Sequence, residues 1–420
     1  MNSNINNIPK PNRIINNDET LNKLNESFNY LKNNKYVEKT REVVGKIPSE
    51  RILEFIKTHK GKFMLLFFAI ICIIVYFVSF FKRIEKSLNK AEYNLEKLAP
   101  LQSDTVIMNS DYRLCDFYIA SSYKSYLPCT NWYDYASPLA IKKVIINGAR
   151  YVDLDVFNKD FKPCTEPVIC NGDEVGNWHW TTSVHFSEAI DIIAKTAFGS
   201  EVKNPTDPFF ININFKTWGN KETINKCATV IREKLNNRLL GPEFSYQGVP
   251  PLLDNSNKRV NIVNLCTTKI KDLLEKVIII STGDIKDTEM DELTNLHSDK
   301  AGNFRDMTYS QVKNSYDATE ITEYSRKNLT RVNPDFSGRL QENYNFYTPF
   351  YLGCQFMPMN YNHPDPFMTA YTEKFQLCSF VLKPYKLRYQ PTVIEQPLQQ
   401  NKAVSFEPKV ATTPFYSITY

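Results

Sequence analysis

The sequence predicts an α/β fold, a (β/α)8-type (TIM) barrel preceded by a single transmembrane helix, and three observations carry that reading. Short apolar runs recur at 116–120, 151–157, 168–170, 209–215, 260–265, 277–281, 356–361 and 379–382. Helical patterns lie between several of them, notably at 186–198 and 221–240. Strands that alternate with helices form parallel sheets, and about eight of them close a barrel. The third observation is the stretch 63–81, FMLLFFAIICIIVYFVSFF, which carries no charge and is bracketed by Lys62, Lys82 and Arg83.

Each part of the chain follows in order. Residues 1–45 are polar and Asn-rich, with only Leu21, Leu24, Phe28 and Leu31 at weak helical spacing, which predicts an unpacked arm. Residues 46–62 are basic and amphipathic, with Ile52, Leu53, Phe55 and Ile56 on one side, a pattern suited to a bilayer interface. The run 63–81 would span about 28 Å as a helix, against a hydrocarbon core of roughly 30 Å. It begins too late and lacks the small-residue cleavage site of a signal peptide. Residues 82–103 place Ile84, Leu88, Leu95 and Leu98 near helical spacing and predict a helical stalk that stops at Pro100. A barrel takes up about 250 residues as one unit, so 104–282 and 304–391 are read as its two halves, joined by a charged linker at 283–303. Residues 392–420 are read as an extended tail, since 391–420 holds four prolines in thirty residues.

Composition narrows the partners. A formal charge of +5 over 420 residues is too mild to suggest a nucleic-acid binder. Nine cysteines, an odd number with no CxxC pair, argue against a full disulfide framework or a zinc ribbon. Cys164 and Cys170 could pair across a turn, but reduced thiols suit a reducing compartment better, which places the barrel on the cytosolic side of a membrane. The charges flanking the span are balanced and do not decide its orientation.

The stretch 324–389 carries the most information. Its centre, 328–355, reads NLTRVNPDFSGRLQENYNFYTPFYLGCQ, and its close, 380–388, reads FVLKPYKLR. Upstream stand SSYKSYL at 121–127, GARYVDLD at 148–155, PVICNG at 167–172 and FFININF at 209–215. In this order the motifs resemble those of the two halves, X and Y, of the catalytic barrel of phosphoinositide-specific phospholipase C. That resemblance covers roughly 104–390.

It implies a mechanism with two histidines and a Ca2+ ion: imidazole exchanges a proton near neutral pH, and a hard dication lowers the pKa of the attacking hydroxyl and neutralises charge. This chain departs from the pattern. Tyr123 stands where the resemblance puts the first histidine and Asn171 where it puts the second. Lys124 and Asn214 replace an Asn and a Glu that would bind calcium, leaving Asp153 and Asp155 as the acidic remnant of a calcium site. The phosphate-binding lysine pair falls near Ile280 and Thr282. Thr308 and Arg331 are kept as substrate-binding positions, and the stacking Tyr is Asn333. Each also has a plainer role: two aspartates alternating with Val152 and Leu154 suit any barrel mouth, and Arg331 can simply hold its loop. His179 and His185 are the histidines nearest in sequence to the lost pair, and aromatic packing or the surface suits them better than catalysis.

Two functions are therefore expected to compete. One is a membrane-anchored pseudoenzyme whose barrel serves phosphoinositide or phosphate binding, or docks a protein, with no cofactor. The other is a divergent phosphodiesterase acting on phosphatidylinositol lipids with Ca2+, in which a group such as His179 replaces the missing base.

Overall fold

The computed structural model describes residues 57–96, 111–128, 136–159, 166–173, 176–177, 179, 182–247, 252–253, 259–260, 263–298, 302–335, 342–391 and 408–420. The arm 1–45, most of the basic segment 46–62 and the end of the stalk, 97–103, lie outside them. Residues 1–82 and 83–420 form two separate units.

Helix α1, Lys60–Glu96, runs for 37 residues without a break. The runs read as a spanning helix at 63–81 and a helical stalk from 82 are continuous, because no proline or glycine between Gly61 and Pro100 interrupts the backbone hydrogen bonds. Its portion Lys60–Lys82 has a mean hydropathy of 2.9 and none of it is buried.

The second unit is built around a ring of strands. β1 (Phe117–Ile119) continues through a bridge of Ser121 to Tyr151, the first residue of β2 (Tyr151–Asn158). Helix α2 (Pro138–Ile146) connects them, with Pro138 at its first turn, where the missing N–H costs nothing. A short antiparallel excursion, β3 (Pro167–Ile169) and β4 (Val184–His185), hangs on β2 outside the ring. Helix α3 (Phe186–Ala197) then leads to β5 (Phe209–Phe215), which lies parallel to β2. Helix α4 (Lys221–Leu235), capped by the Asn220 side chain, leads to β6 (Val277–Thr282), parallel to β5. After α5 (Glu289–Leu293) comes β7 (Leu296–His297), parallel to β6. β8 (Phe304–Thr308) is followed by α6 (Tyr309–Lys313) and α7 (Ala318–Lys327), and pairs in parallel with β9 (Leu329–Asn333). The extended segment at 355–359 bridges Arg331 on one side and Ile119 on the other, which returns the ring to β1. Two further helices, α8 (Tyr347–Tyr351) and α9 (Pro366–Lys374), precede β10 (Phe380–Leu382), which pairs antiparallel with β1. Between β7 and β8 side chains join the wall. Leu296 and Phe304 share one apolar cluster, and Arg331 donates to Ser298 at 3.0 Å.

Period-two alternation gives the ring two cores. Val152, Leu154, Ile211, Ile213 and Ile279 face outward onto the helices, where they meet Ile141, Ile190, Ile193 and Ile231. Tyr151, Phe210, Ile278, Ile280, Leu329 and Phe356 fill the interior. Moving along each strand by twos, the inward residues turn polar: Tyr151 gives way to Asp153 and Asp155, Phe210 to Asn212 and Asn214, and Leu329 to Arg331 and Asn333. The base is therefore plugged with apolar side chains and the mouth is left for chemistry.

Several expectations need correction. The segment 283–303 is not a linker: it contributes α5 and the buried wall strand β7, whose two residues are too few to show a period. The run 260–265 is not a barrel strand, since Arg259–Val260 pairs only with Leu252–Leu253 and Leu265–Thr267 turns as a 3-10 helix. β8 (FRDMT) and β9 (LTRVN) do belong to the wall, but their inward Asp306 and Arg331 break the apolar pattern that would reveal them. Of the tail, 392–407 lies outside the described residues, and β11 (Val410–Thr412) with β12 (Ser417–Thr419) forms a hairpin.

Candidate functional site

The mouth holds a cavity of about 340 Å³ whose lining includes Tyr123, Lys124, Asp153, Asp155, Asn214, Lys216, Thr282, Asp306, Thr308, Arg331 and Asn333. Of the positions singled out in the sequence, it brings together Tyr123, Lys124, Asp153, Asp155, Asn214, Thr282, Thr308, Arg331 and Asn333. Asn171 enters through Lys124, whose Nζ donates to its Oδ1 at 3.2 Å. Ile280 lies deeper in the apolar interior. The two histidines stay apart from the cavity wall. His179 packs on Phe157 with ring centroids 5.4 Å apart, and His185 is exposed with Nδ1 3.7 Å from Glu166.

The loop after β1 explains how a lysine comes to face the aspartates. Lys124 adopts φ 40°, a left-handed conformation that costs a non-glycine residue energy and needs local compensation. Its own N–H donates to Asp153 Oδ2 at 3.1 Å, the Ser125 N–H donates to the Asp153 carbonyl, and the Asp153 N–H donates to Ser125 Oγ at 3.0 Å. The loop is thus tied to β2 residue by residue. With the backbone held there, Lys124 Nζ sits 3.6 Å from Asp155 Oδ2.

Lys216, one residue past β5, approaches the same oxygen at 3.4 Å. Sequence reading missed it, although it stands two residues beyond Asn214 and shares that residue's side of the strand. Tyr126 Oη donates to Asp155 Oδ2 at 2.7 Å, and Asn214 Nδ2 donates to Asp155 Oδ1 at 2.9 Å. Asp153 Oδ1 accepts from Asn212 and Asn214 at 2.7 and 2.8 Å. Burial alone would raise both carboxyl pKa values, but Lys216 and Lys124 overcome it at Asp155, which falls to about 2. Asp153 moves the other way, raised by burial and by the charge of Asp155.

A second buried cation lies across the cavity. Arg331 forks onto Asp306 through Nε, at 2.9 Å, and through Nη2, and its Nη1 donates to Tyr151 Oη at 2.8 Å. Burial opposes its charge, yet Asp306 more than compensates and holds its pKa well above the usual value. Asn333 Nδ2 donates to Asp306 at 2.9 Å. Asp306, hidden in a mixed-polarity strand, is another partner that sequence reading missed. Thr308 closes the N-terminus of α6, its hydroxyl accepting from the Gln311 N–H. Gly283 closes the rim with φ 100°, where an added Cβ would come within 2.8 Å of the Phe215 carbonyl oxygen.

A calcium ion needs six to eight oxygen ligands about 2.4 Å away. Here the carboxylate oxygens of Asp153 and Asp155 are already taken by N–H, O–H and ammonium donors, and the ammonium groups of Lys124 and Lys216 stand 3.6 and 3.4 Å from Asp155 Oδ2. Among the described residues no group of three His, Cys, Asp or Glu side chains converges to hold a metal. The residues present do not fit Ca2+.

A parallel barrel with its polar residues gathered at the C-terminal mouth of the strands defines the class. The X domain of phosphatidylinositol-specific phospholipase C matches residues 110–279 and the Y domain matches 275–386, so the chain belongs to that family. It is 24% identical over 317 residues to the human protein named inactive phospholipase C-like protein 1, covering 66% of this chain and 27% of that protein. It is 30% identical over 118 residues to the mouse 1-phosphatidylinositol 4,5-bisphosphate phosphodiesterase beta-2, covering 28% of this chain and 9% of that one. Among solved structures, PLC21 of L. pealei superposes with a TM-score of 0.53 at 20% identity, over 67% of this chain and 38% of that chain. PLC21 of S. officinalis gives 0.52 at 21%, over 67% and 38%. These likenesses show the fold. The chain spans about a quarter of the length of the first of these curated relatives.

Proposed function

We propose that this protein is a membrane-anchored phospholipase C-like pseudoenzyme, with α1 as the anchor and a barrel that serves as a binding or docking module. One observation carries the reading: Asp155 lies within 3.6 Å of two ammonium groups, those of Lys124 and Lys216, in the place where its family would hold a dication. Their combined charge of +2 matches that of the ion, and they are covalently part of the chain. Among the described residues no imidazole lines the cavity to move a proton, and loss of such a group alone commonly costs about 10²- to 10⁴-fold in rate. The name of the human relative, an inactive phospholipase C-like protein, agrees with this reading.

What the mouth would bind is set by its charge balance. Lys124, Lys216 and Arg331 face Asp153, Asp155 and Asp306, so a phosphoinositide head group would have to win Arg331 from Asp306. The cytosolic placement of the barrel and its use of a protein partner belong to the same proposal.

The test uses the full chain reconstituted in vesicles containing phosphatidylinositol. No calcium-dependent release of inositol phosphate is expected, and calorimetry should show no calcium binding. A Lys124→Ala, Lys216→Ala double variant should acquire weak calcium affinity. Turnover by the unmodified chain that is lost in His179→Ala would replace this reading with that of a divergent hydrolase.

A further inference from the structure

Parallel strands run from the base of the barrel to its mouth, so the residues just before them gather at the base. Tyr112 and Arg113 precede β1, Lys269 and Lys271 precede β6, and Arg326 and Lys327 precede β9. The turn Tyr385–Leu387 joins them because it follows β10, whose Leu382 pairs with Phe117 at the start of β1. Direct contacts make these segments one face. Arg113 forms a backbone bridge with Lys269, and Lys269 and Lys271 both donate to Asp111 Oδ1, at 2.9 and 2.7 Å. The Arg388 guanidinium lies 5.0 Å from the centre of the Tyr112 ring, and Arg326 Nε donates to the Arg388 carbonyl at 3.2 Å.

The charge of this face is one-sided. At the mouth Lys124, Lys216 and Arg331 are matched by three aspartates, whereas at the base Asp111 alone serves two ammonium groups. Among the described residues no carboxylate pairs with Arg326, Arg388 or Lys386. Asp116 is buried and accepts from the backbone N–H groups of Arg113 and Tyr389, which leaves Asp272 as the other exposed acid of these segments. Tyrosines stand among the cations, Tyr385 being 74% and Tyr112 41% exposed.

We infer that the base of the barrel is a docking face for the surface of an anionic bilayer. Each lysine or arginine held near such a surface strengthens binding about fivefold, and tyrosine suits the interface because its ring is apolar and its hydroxyl stays wet. Lys269, Lys271, Lys327 and Lys386 reach out on exposed stems from separate segments, which fits a fluid array of head groups better than a protein partner that needs a buried anchor. With the base on lipid, the mouth at the opposite end is turned to solvent, where a soluble partner can reach it.

The inference rests on the anchor proposed above only for what brings a bilayer near, and the experiment separates the two. Full chains carrying Tyr385→p-benzoylphenylalanine, or Trp218→p-benzoylphenylalanine beside the mouth, are reconstituted in phosphatidylcholine vesicles with or without phosphatidylserine and irradiated. The lipid adduct at 385 should be several-fold above that at 218, should rise several-fold with phosphatidylserine, and should fall in high salt. Lys271→Ala with Lys386→Ala should return the 385 adduct to its level in phosphatidylcholine alone, with the thermal transition of the barrel unchanged. Chain that resists alkaline carbonate but gives as much lipid adduct at 218 as at 385, or only chain-to-chain adducts at 385, overturns the docking face and leaves the anchor standing. Release by carbonate with a salt-sensitive lipid adduct at 385 overturns the anchor and keeps the face, and release with no adduct overturns both.

Discussion

Lys124 at the mouth of the barrel and Lys383 at its base are both buried, yet their surroundings differ. Lys124 lies 3.6 Å from a carboxylate that it shares with Lys216. Lys383 donates instead to the Ser325 carbonyl at 3.1 Å and sits 5.8 Å from the centre of the Tyr118 ring. Burial without a close carboxylate lowers the Lys383 pKa to about 8, against only partial support from Cys115, Cys354 and Asp116. At the mouth the matching effect is seen on the acid, with Asp155 drawn down to about 2 by its two lysines. A buried charge thus survives where the fold supplies a counter-charge and is eroded where it supplies only a dipole.

The strongest way to break this contrast is Asp155→Asn. The substitution keeps the shape but leaves two buried ammonium groups facing an amide, and uncompensated buried charge costs about 3–5 kcal/mol. Urea denaturation of the full chain in detergent should show a loss of that size, and a loss below about 1 kcal/mol would mean that the lysines find other partners. The acid limb gives the sign. Since the folded pKa of Asp155 lies below the ordinary 3.8, its contribution is complete above pH 3.8 and disappears as pH falls through 2. The variant should lack that part of the acid transition.

Lys383→Met sharpens the other end. Between pH 8 and 10.5 the unfolded chain holds a proton on Lys383 that the folded chain has released, so stability rises with pH across that window, by up to about 3 kcal/mol. The variant should lose this rise, and equal slopes for the two proteins from pH 8 to 10.5 would show that the amine is not so perturbed. Ser325 keeps a donor in the variant, because Gln355 Nε2 also bonds its carbonyl at 2.6 Å.

The smallest effect is expected where the ion pair faces water. Arg305 holds Glu320 through two hydrogen bonds of 2.7 Å, with half of the Glu320 side chain exposed. Glu320→Gln should cost less than about 1 kcal/mol and less still in high salt. A cost near that of Asp155→Asn would contradict the claim that burial sets the scale.

Much of this protein was decided by its sequence alone. The ordered motifs around Ser121, Gly148, Pro167 and Asn328 identify the family, because each is a contiguous phrase within or beside one strand. Loss of both imidazoles and the chargeless run at 63–81 need no coordinates either, since residue type and local spacing fix them. Tertiary structure alone decided what the altered site does with its charges. Lys216 and Asp155 are brought together by the pairing of β2 with β5, and Arg331 and Asp306 by that of β9 with β8. The strand Leu296–His297 became part of the wall in the same way, from a stretch that reads as charged and irregular. A one-dimensional pattern records which face of a strand a residue takes, whereas the counter-charge it meets depends on which strand lies beside it, and that contact exists only once the ring has closed.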